Sequence, residues 1–479
     1  MVSDIGLCSG GGRKRSIPLI NKRVTNTAKS ILSLWNTGLF ALVWCFFYNN
    51  YVFDTFRVKG GIITLIIYSF IYHSLCNLYK AHRIASSEIG ATVFSQVLSF
   101  GIADLIMYTE CCLVYNRYVN ILPGMAAVAG QILGTAGIVT LTKQYFIRFI
   151  PARATLLYYG KQVELQDVVQ FQERLMKKYS HLFEIKALEC EGEKDFEAAC
   201  ALYDTVILYE ISGENRGRYM AFLAEWQKTF YLTPTVEDIM MQGCEPKHLL
   251  DTPLMKYDYK YDRRRSLYLK RILDIVFSIV ILVLLSPVLL IVAAMIRLED
   301  GGPVFFRQKR CTKDAREFDI LKFRSMIVDA EKQGVTPCGK GDSRITRVGK
   351  VIRRFRLDEV PQFINVLKGD MSIVGPRPER VEHVRHYIHE VPEFAYRMRV
   401  LGGLTGYAQI YGKYNTSAYD KLRLDLLYIE NQSMVLDLKL MLLTIKTIFT
   451  LESTEGFTSE KSEKIRKESR KIRLRKLKA

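Results

Sequence analysis

The chain has no CxxC pair among its ten cysteines. That excludes zinc ribbons and thioredoxin-like redox sites and leaves the thiols as reduced residues of a cytosolic environment. It has neither a GxGxxG run nor a Walker A run, so the fingerprints of a dinucleotide-binding domain and of a membrane ATPase are both missing. No A-x-A site accompanies the first apolar stretch, which is also too long for the core of a cleavable signal. Acidic residues are the scarcer charge: 49 Asp and Glu against 68 Lys and Arg give a formal net charge of +19 over 479 residues. That surplus excludes indifference to polyanions and leaves nucleic acid, an anionic bilayer or a phosphorylated substrate.

What the chain does have is apolar sequence gathered into blocks. Four lie in its first third, at 30–53, 61–79, 89–115 and 119–142, each near the roughly 20 residues that cross a bilayer core. Their short connections predict an antiparallel bundle. The N-terminal arm with Arg13, Lys14, Arg15, Lys22 and Arg23, the 80–83 loop and the 143–153 stretch are basic, and the other two connections less so. The positive-inside rule therefore puts both ends of the bundle in the cytoplasm. Asp104 and Glu110 fall inside the third block; the reading is that Asp104 faces a neighbouring helix and Glu110 sits near the interface.

Beyond the bundle, 154–160, 183–188 and 205–209 read as strands and 165–178 as a helix. The alternation predicts a small Rossmann-like α/β domain without cofactor. A basic linker leads to a fifth apolar block, 272–296, with Ser286-Pro287 near its middle. Its flanks carry Arg263–Arg265, Lys270 and Arg271 on one side and Arg297, Arg307, Lys309 and Arg310 on the other. A spanning helix would leave one cluster outside. Proline frees the carbonyl four residues back, and a serine hydroxyl beside it can bond backbone and steady a bend. These residues alone divide evenly between a helix that enters and returns and a kinked spanning helix. The phosphate-binding character of the chain downstream of the block favours the return. A last apolar stretch, 435–451, is interrupted by Asp437, Lys439 and Lys446, which predicts a helix in the interface or packed on its domain. The 460–479 tail has ten Lys or Arg against three Glu. The apolar blocks favour an anionic membrane over nucleic acid as its partner.

Chemistry concentrates between 305 and 378. KFRSM at 322–326, DSRIT at 342–346, an acid pair inside the cationic run at 353–362 and an arginine framed by prolines at 376–378 succeed one another. A solvated face needs neither the framed arginine nor the acids. Three histidines, His383, His386 and His389, drift around a helix at their spacing and read as a solvent-facing series rather than a metal site. A carboxylate can attack phosphorus if arginines and a divalent cation screen the charge.

Taken in order, Ser286-Pro287, KFRSM, DSRIT, RLDEVPQFINVLKGDMSIVGPRP at 356–378 and GLTGYAQI at 403–410 resemble the bacterial sugar transferases, the monotopic phosphoglycosyl transferases. The resemblance covers roughly 265–455, and the upstream segments look like the large form of that family. It implies transfer of hexose-1-phosphate from a UDP-hexose to undecaprenyl phosphate with release of UMP, through an aspartyl-phosphosugar intermediate. Asp358 matches the nucleophile and Glu359 the acid that helps hold Mg²⁺. Arg353 matches an arginine that meets the polyprenyl phosphate. Lys322, Arg324, Pro376, Arg377 and Pro378 match positions that line the nucleotide and substrate site, and Ser286 and Pro287 match the break of a re-entrant helix. The family usually has glycines before KFRSM, whereas 308–316 has none, which argues against a tight turn there. The implied setting is the inner membrane, with the catalytic domain on the cytoplasmic face. A homodimer is a further expectation from the resemblance.

The expected organisation is a basic cytoplasmic arm over 1–29, four transmembrane helices over 30–150, the α/β domain over 151–258, a mostly helical monotopic transferase domain over 259–455 with a re-entrant helix at 266–297, and a basic tail over 456–479. Two rivals remain open: a membrane adaptor without activity, which would not need Asp358 beside Glu359, and a transferase working in one ternary-complex step, which would never carry phosphosugar itself.

Overall fold

The computed structural model describes residues 16–49, 57–160, 163–189, 193–257, 264–328, 342–412 and 417–449. The first half of the expected arm, part of the basic linker and the whole 456–479 tail lie outside the described residues. The chain divides into two compact units, Met1–Thr233 and Pro234–Ala479.

The first unit opens with four apolar helices: α1 (Ser16–Val43), continued by a π-helical turn at Trp44–Tyr48, then α2 (Arg57–Leu78), α3 (Ile89–Val114) and α4 (Leu122–Phe149). Each contains a stretch long and apolar enough to cross a membrane. α1 starts at Ser16, inside the stretch expected as an arm. α1 packs on α2 and α4, and α3 packs on the same two helices. Lipid supplies no hydrophobic drive between helices, so small and polar residues hold them together. Gly134 of α4 leaves room for the Trp35 indole of α1, which a β-carbon would strike. Asn36 donates to the Tyr72 hydroxyl at 3.0 Å, and that hydroxyl to Gln96 Oε1 at 2.8 Å. Gln131 Nε2 donates to Asn36 O and to the Tyr68 hydroxyl, both at 3.1 Å. Asp104 joins this network through Tyr68 and Gln131, so it does face neighbouring helices.

The rest of the unit alternates strand and helix: β1 (Arg153–Tyr159), α5 (Leu165–Tyr179), β2 (Phe183–Glu189), α6 (Glu193–Leu202), β3 (Thr205–Tyr209), α7 (Glu214–Glu225) and β4 (Thr229–Leu232). The four strands are parallel in the order β2-β1-β3-β4. Along β1 the period of two sends Leu156 and Tyr158 into one apolar cluster and Leu157 and Tyr159 into another. Both sheet faces are thus covered, as in a doubly wound α/β layer. The Lys143 ammonium ties this layer to the helices: it donates to Ala85 O at 2.8 Å and Ser87 O at 3.1 Å and lies 2.7 Å from His181 Nε2.

The second unit begins 25 residues before the boundary expected at 258/259. Its helix α8 (Val236–Gln242) and the hairpin β5 (Glu245–Leu249)–β6 (Thr252–Lys256) precede α9 (Arg264–Asp300). They belong here because Gln242 accepts from Asn431 at 3.3 Å and the Tyr257 hydroxyl donates to Glu430 at 3.0 Å.

Helix α9 runs for 37 residues with Pro287 inside it. The carbonyl that Pro287 frees belongs to Val283, and the Ser286 hydroxyl donates to it at 2.8 Å. Near the start of α9, Arg271 donates to Val366 O at 2.6 Å and Leu367 O at 2.9 Å. Asp274 accepts from Ser372 Oγ at 2.8 Å and from the Ile373 amide at 3.3 Å. Near its end, Val292 and Ile296 share a buried cluster with Phe323 and Ile352, and Glu299 caps the Arg347 amide at 2.7 Å. Between them, from 279 to 291, no residue is buried.

β7 (Phe305–Cys311) and β8 (Glu317–Phe323) form an antiparallel hairpin, followed by α10 (Arg347–Arg354), α11 (Gln362–Lys368), β9 (Met371–Val374), α12 (Val381–Glu390), β10 (Gly402–Thr405), α13 (Tyr407–Tyr411), α14 (Ala418–Glu430) and α15 (Met434–Phe449). β9 and β10 pair in parallel. α15 packs on its own unit as expected: Asp437 takes Lys270 at 2.7 Å and the Tyr428 hydroxyl at 2.8 Å. His383, His386 and His389 all face outward on α12. The β7–β8 connection corrects the expectation drawn from its missing glycines. It turns tightly, with Asp314 at φ 55° and Ala315 at φ 57° in the left-handed region. That region costs a non-glycine residue about 1–2 kcal/mol. Ala315 is exposed, so Ala315→Gly is expected to raise the stability of the detergent-solubilised protein by about 1 kcal/mol in chemical unfolding.

Candidate active site

The acid pair sits on a single 3₁₀ turn, Leu357–Glu359, between α10 and α11. α10 ends at Arg354, and Arg356 reverses the chain in the left-handed conformation at φ 54°. Pro361 then caps α11, so the two acids are confined to a short, pinned corner. β8 and the loop after β9 close on that corner. Lys322 Nζ of β8 donates to Glu359 Oε1 at 3.1 Å, and Arg377 Nη2 donates to the same oxygen. The other carboxylate oxygen has Arg356 at 4.0 Å.

These surroundings separate the two carboxyl groups. Burial alone would push Glu359 up, but the Arg377 guanidinium first and Lys322 next outweigh it and hold Glu359 well below the usual carboxylate range. Asp358 is pushed up to about 6, by burial first and by the Glu359 charge second, against the pull of Lys322 and Arg353. Adjacent acids whose environments drive them apart are suited to different roles. Glu359 stays charged and can anchor cations. Asp358 is a comparatively basic carboxylate, ionised at neutral pH and partly exposed, as an attacking group must be. If Asp358 must be ionised to react, kcat/KM falls tenfold per unit of pH below about 6 and levels off above it, and a pH–rate profile reads this directly.

The structure therefore brings Asp358, Glu359, Lys322 and Arg377 together, with Arg353 close enough to act on both Asp358 and Asp342. Asp342 itself pairs with Arg344 at 2.7 Å. Arg324 goes elsewhere: it is buried against Gly302 and paired with Asp300 at the end of α9. Pro376 and Pro378 frame Arg377, with the Pro378 ring packed on Gly402. Ser286 and Pro287 lie mid-way along α9. Sequence reasoning missed Arg310, Glu379, Arg397 and Asp425, which lie behind Arg377 in a buried ion-pair network. No local pattern marks them: Arg397 and Asp425 meet only in the fold, 28 positions apart.

The chain belongs to the bacterial sugar transferase family, whose model matches residues 265–451. A UDP-glucose:undecaprenyl-phosphate glucose-1-phosphate transferase of Caulobacter vibrioides is 40% identical over 189 residues, which are 38% of this chain and 71% of that protein. A UDP-N-acetylgalactosamine-undecaprenyl-phosphate N-acetylgalactosaminephosphotransferase of Aeromonas hydrophila is 46% identical over 186 residues, 38% of this chain and 44% of that protein. A UDP-glucose:undecaprenyl-phosphate glucose-1-phosphate transferase of Escherichia coli is 41% identical over 210 residues, 43% of this chain and 44% of that protein. The chain thus spans less than half the length of the last two.

Proposed function

We propose that the protein transfers a hexose-1-phosphate from a UDP-hexose to undecaprenyl phosphate in two displacements. The observation that carries this is the acid pair: an Asp358 carboxylate raised toward neutrality beside a Glu359 held charged by Lys322 and Arg377. In the first displacement an Asp358 oxygen bonds to the sugar-bearing phosphorus, the bridging P–O bond breaks, and UMP leaves with that electron pair. In the second, an oxygen of the lipid phosphate bonds to the same phosphorus and the Asp358 carboxylate leaves. Neither step needs a proton. Two anionic substrates need not meet, because the first product departs before the lipid enters. Lys322, Arg353 and Arg377 supply the positive charge that lets an anionic nucleophile approach.

Glu359 fits a magnesium ion shared with the diphosphate. Its Oε1 is taken by Lys322 and Arg377, while Arg356 stands 4.0 Å from Oε2. Magnesium takes one or two carboxylates and completes its shell with phosphate and water, a role for which the single carboxylate of Glu359 would serve. Such an ion supplies charge neutralisation at the diphosphate.

We place the reaction at the cytoplasmic face of the inner membrane, with α1–α4 spanning and α9 entering and returning. The support is that both ends of α9 are fastened to the second unit while no residue from 279 to 291 is fully buried; a straight helix of this length would reach about 55 Å. In intact cells a maleimide that cannot cross membranes should label neither Ile272→Cys nor Leu298→Cys above the native background. A spanning helix would expose one of them. The three relatives above are named for glucose and for N-acetylgalactosamine, so the donor panel spans plain and N-acetylated hexoses. The deciding experiment offers purified protein, magnesium and undecaprenyl phosphate a panel of UDP-glucose, UDP-galactose and their N-acetylated forms and measures UMP. No release from any donor sinks the proposal.

A further inference from the structure

Four consecutive backbone carbonyls, from Pro376 to Glu379, each accept a hydrogen bond from a different donor. The Gly403 amide reaches Pro376 O at 2.8 Å and the Cys311 amide reaches Glu379 O at 3.0 Å. The two in between are taken by guanidinium groups: Arg397 Nη2 donates to Arg377 O at 2.9 Å and Arg310 Nη1 to Pro378 O at 3.1 Å. Arg397 is 5% exposed and is itself seated on Asp425, which is 0% exposed, through Nε at 3.0 Å and Nη2 at 2.7 Å. The Phe394 ring lies 4.8 Å beneath the guanidinium. Glu379 balances the pair of arginines, 4.0 Å from Arg397 and 3.9 Å from Arg310.

A buried ion pair is a poor device for stability alone, since well-packed apolar residues do as well or better. What an arginine adds is several donors in a rigid plane. The two peptide planes that meet at the Arg377 Cα carry the Pro376 and Arg377 carbonyls, held by the Gly403 amide and by Arg397, and so the direction in which its side chain leaves is fixed. Arg310 holds the next carbonyl along, that of Pro378, and so steadies the exit of the same loop. That side chain is the one that reaches Glu359. We propose that Arg397, seated on Asp425, and Arg310 are positioning residues that aim Arg377 at Glu359 and so set the geometry in which the donor diphosphate is held. They act through Arg377 and touch no reacting atom. This inference rests on the transferase reading above.

The test is a double-mutant cycle in the full-length protein. Arg397→Lys and Arg310→Lys keep the charge but lose the planar set of donors. Each is expected to lower kcat/KM for UMP release about 10- to 100-fold, since a displacement of about 1 Å at a reacting site costs that much. In an Arg377→Ala background either change should add less than about twofold. Equal losses with and without Arg377 overturn the inference. If Arg397→Lys lacks a cooperative melt, the Arg310→Lys cycle decides. The same cycles are also read as affinity for UDP with magnesium, which needs no turnover. UMP release absent in every preparation but UDP binding coupled through Arg377 would count against the reaction and for the positioning. UDP binding indifferent to all three arginines would defeat the positioning.

Discussion

Asp358→Asn is expected to lower UMP release by about 10³-fold or more, the largest effect of any single change in the chain. Asparagine preserves the size of the side chain and the 3₁₀ turn that presents it, so the loss isolates the charge and the nucleophilic oxygen. A partner measurement removes the remaining ambiguity. Wild-type protein given magnesium and donor but no lipid should gain the mass of one hexose phosphate on the peptide carrying Asp358, and the variant should gain nothing. A membrane adaptor would be unaffected by the substitution, and a single-step transferase would show no mass gain in either protein.

Glu359→Gln should cost about 10²-fold in kcat/KM and raise the magnesium concentration needed for half-maximal rate. Two consequences distinguish it from the first variant. Lys322 and Arg377 lose the carboxylate they share; both are part-exposed, so the cost is below that of breaking a fully buried pair, and the melting temperature should still drop measurably. The pH profile should also move. The Glu359 charge is one cause of the raised Asp358 value. Its removal lowers that value, and the acid limb of the residual activity shifts to lower pH. An unmoved limb would mean that burial alone sets Asp358 and that the two acids are not electrostatically linked.

The apolar blocks were readable because lipid demands a run of about 20 apolar residues and nothing else in the chain resembles one. Their helix ends were not, since α1 begins among polar residues at Ser16. Of the parallel strands, β4 escaped the sequence reading: its alternating exposure marks an edge strand with few buried residues. The hairpin before KFRSM was misread from the absence of glycine, because Asp314 and Ala315 bear the left-handed conformation themselves. At the candidate site, Asp358, Glu359, Lys322 and Arg377 were legible as dense charge punctuated by proline. Arg397 and Asp425 were not, because their contact joins segments 28 positions apart and neither residue belongs to a run with a pattern of its own.

The bare middle of α9 has a practical consequence. Val280, Val283, Leu284 and Leu290 present open hydrocarbon on a helix fastened at both ends to the second unit, so that unit carries its own greasy wedge, independent of α1–α4. Cut from everything before Pro234, it should still float with liposomes in a density gradient, and washing with salt or carbonate should not strip it off.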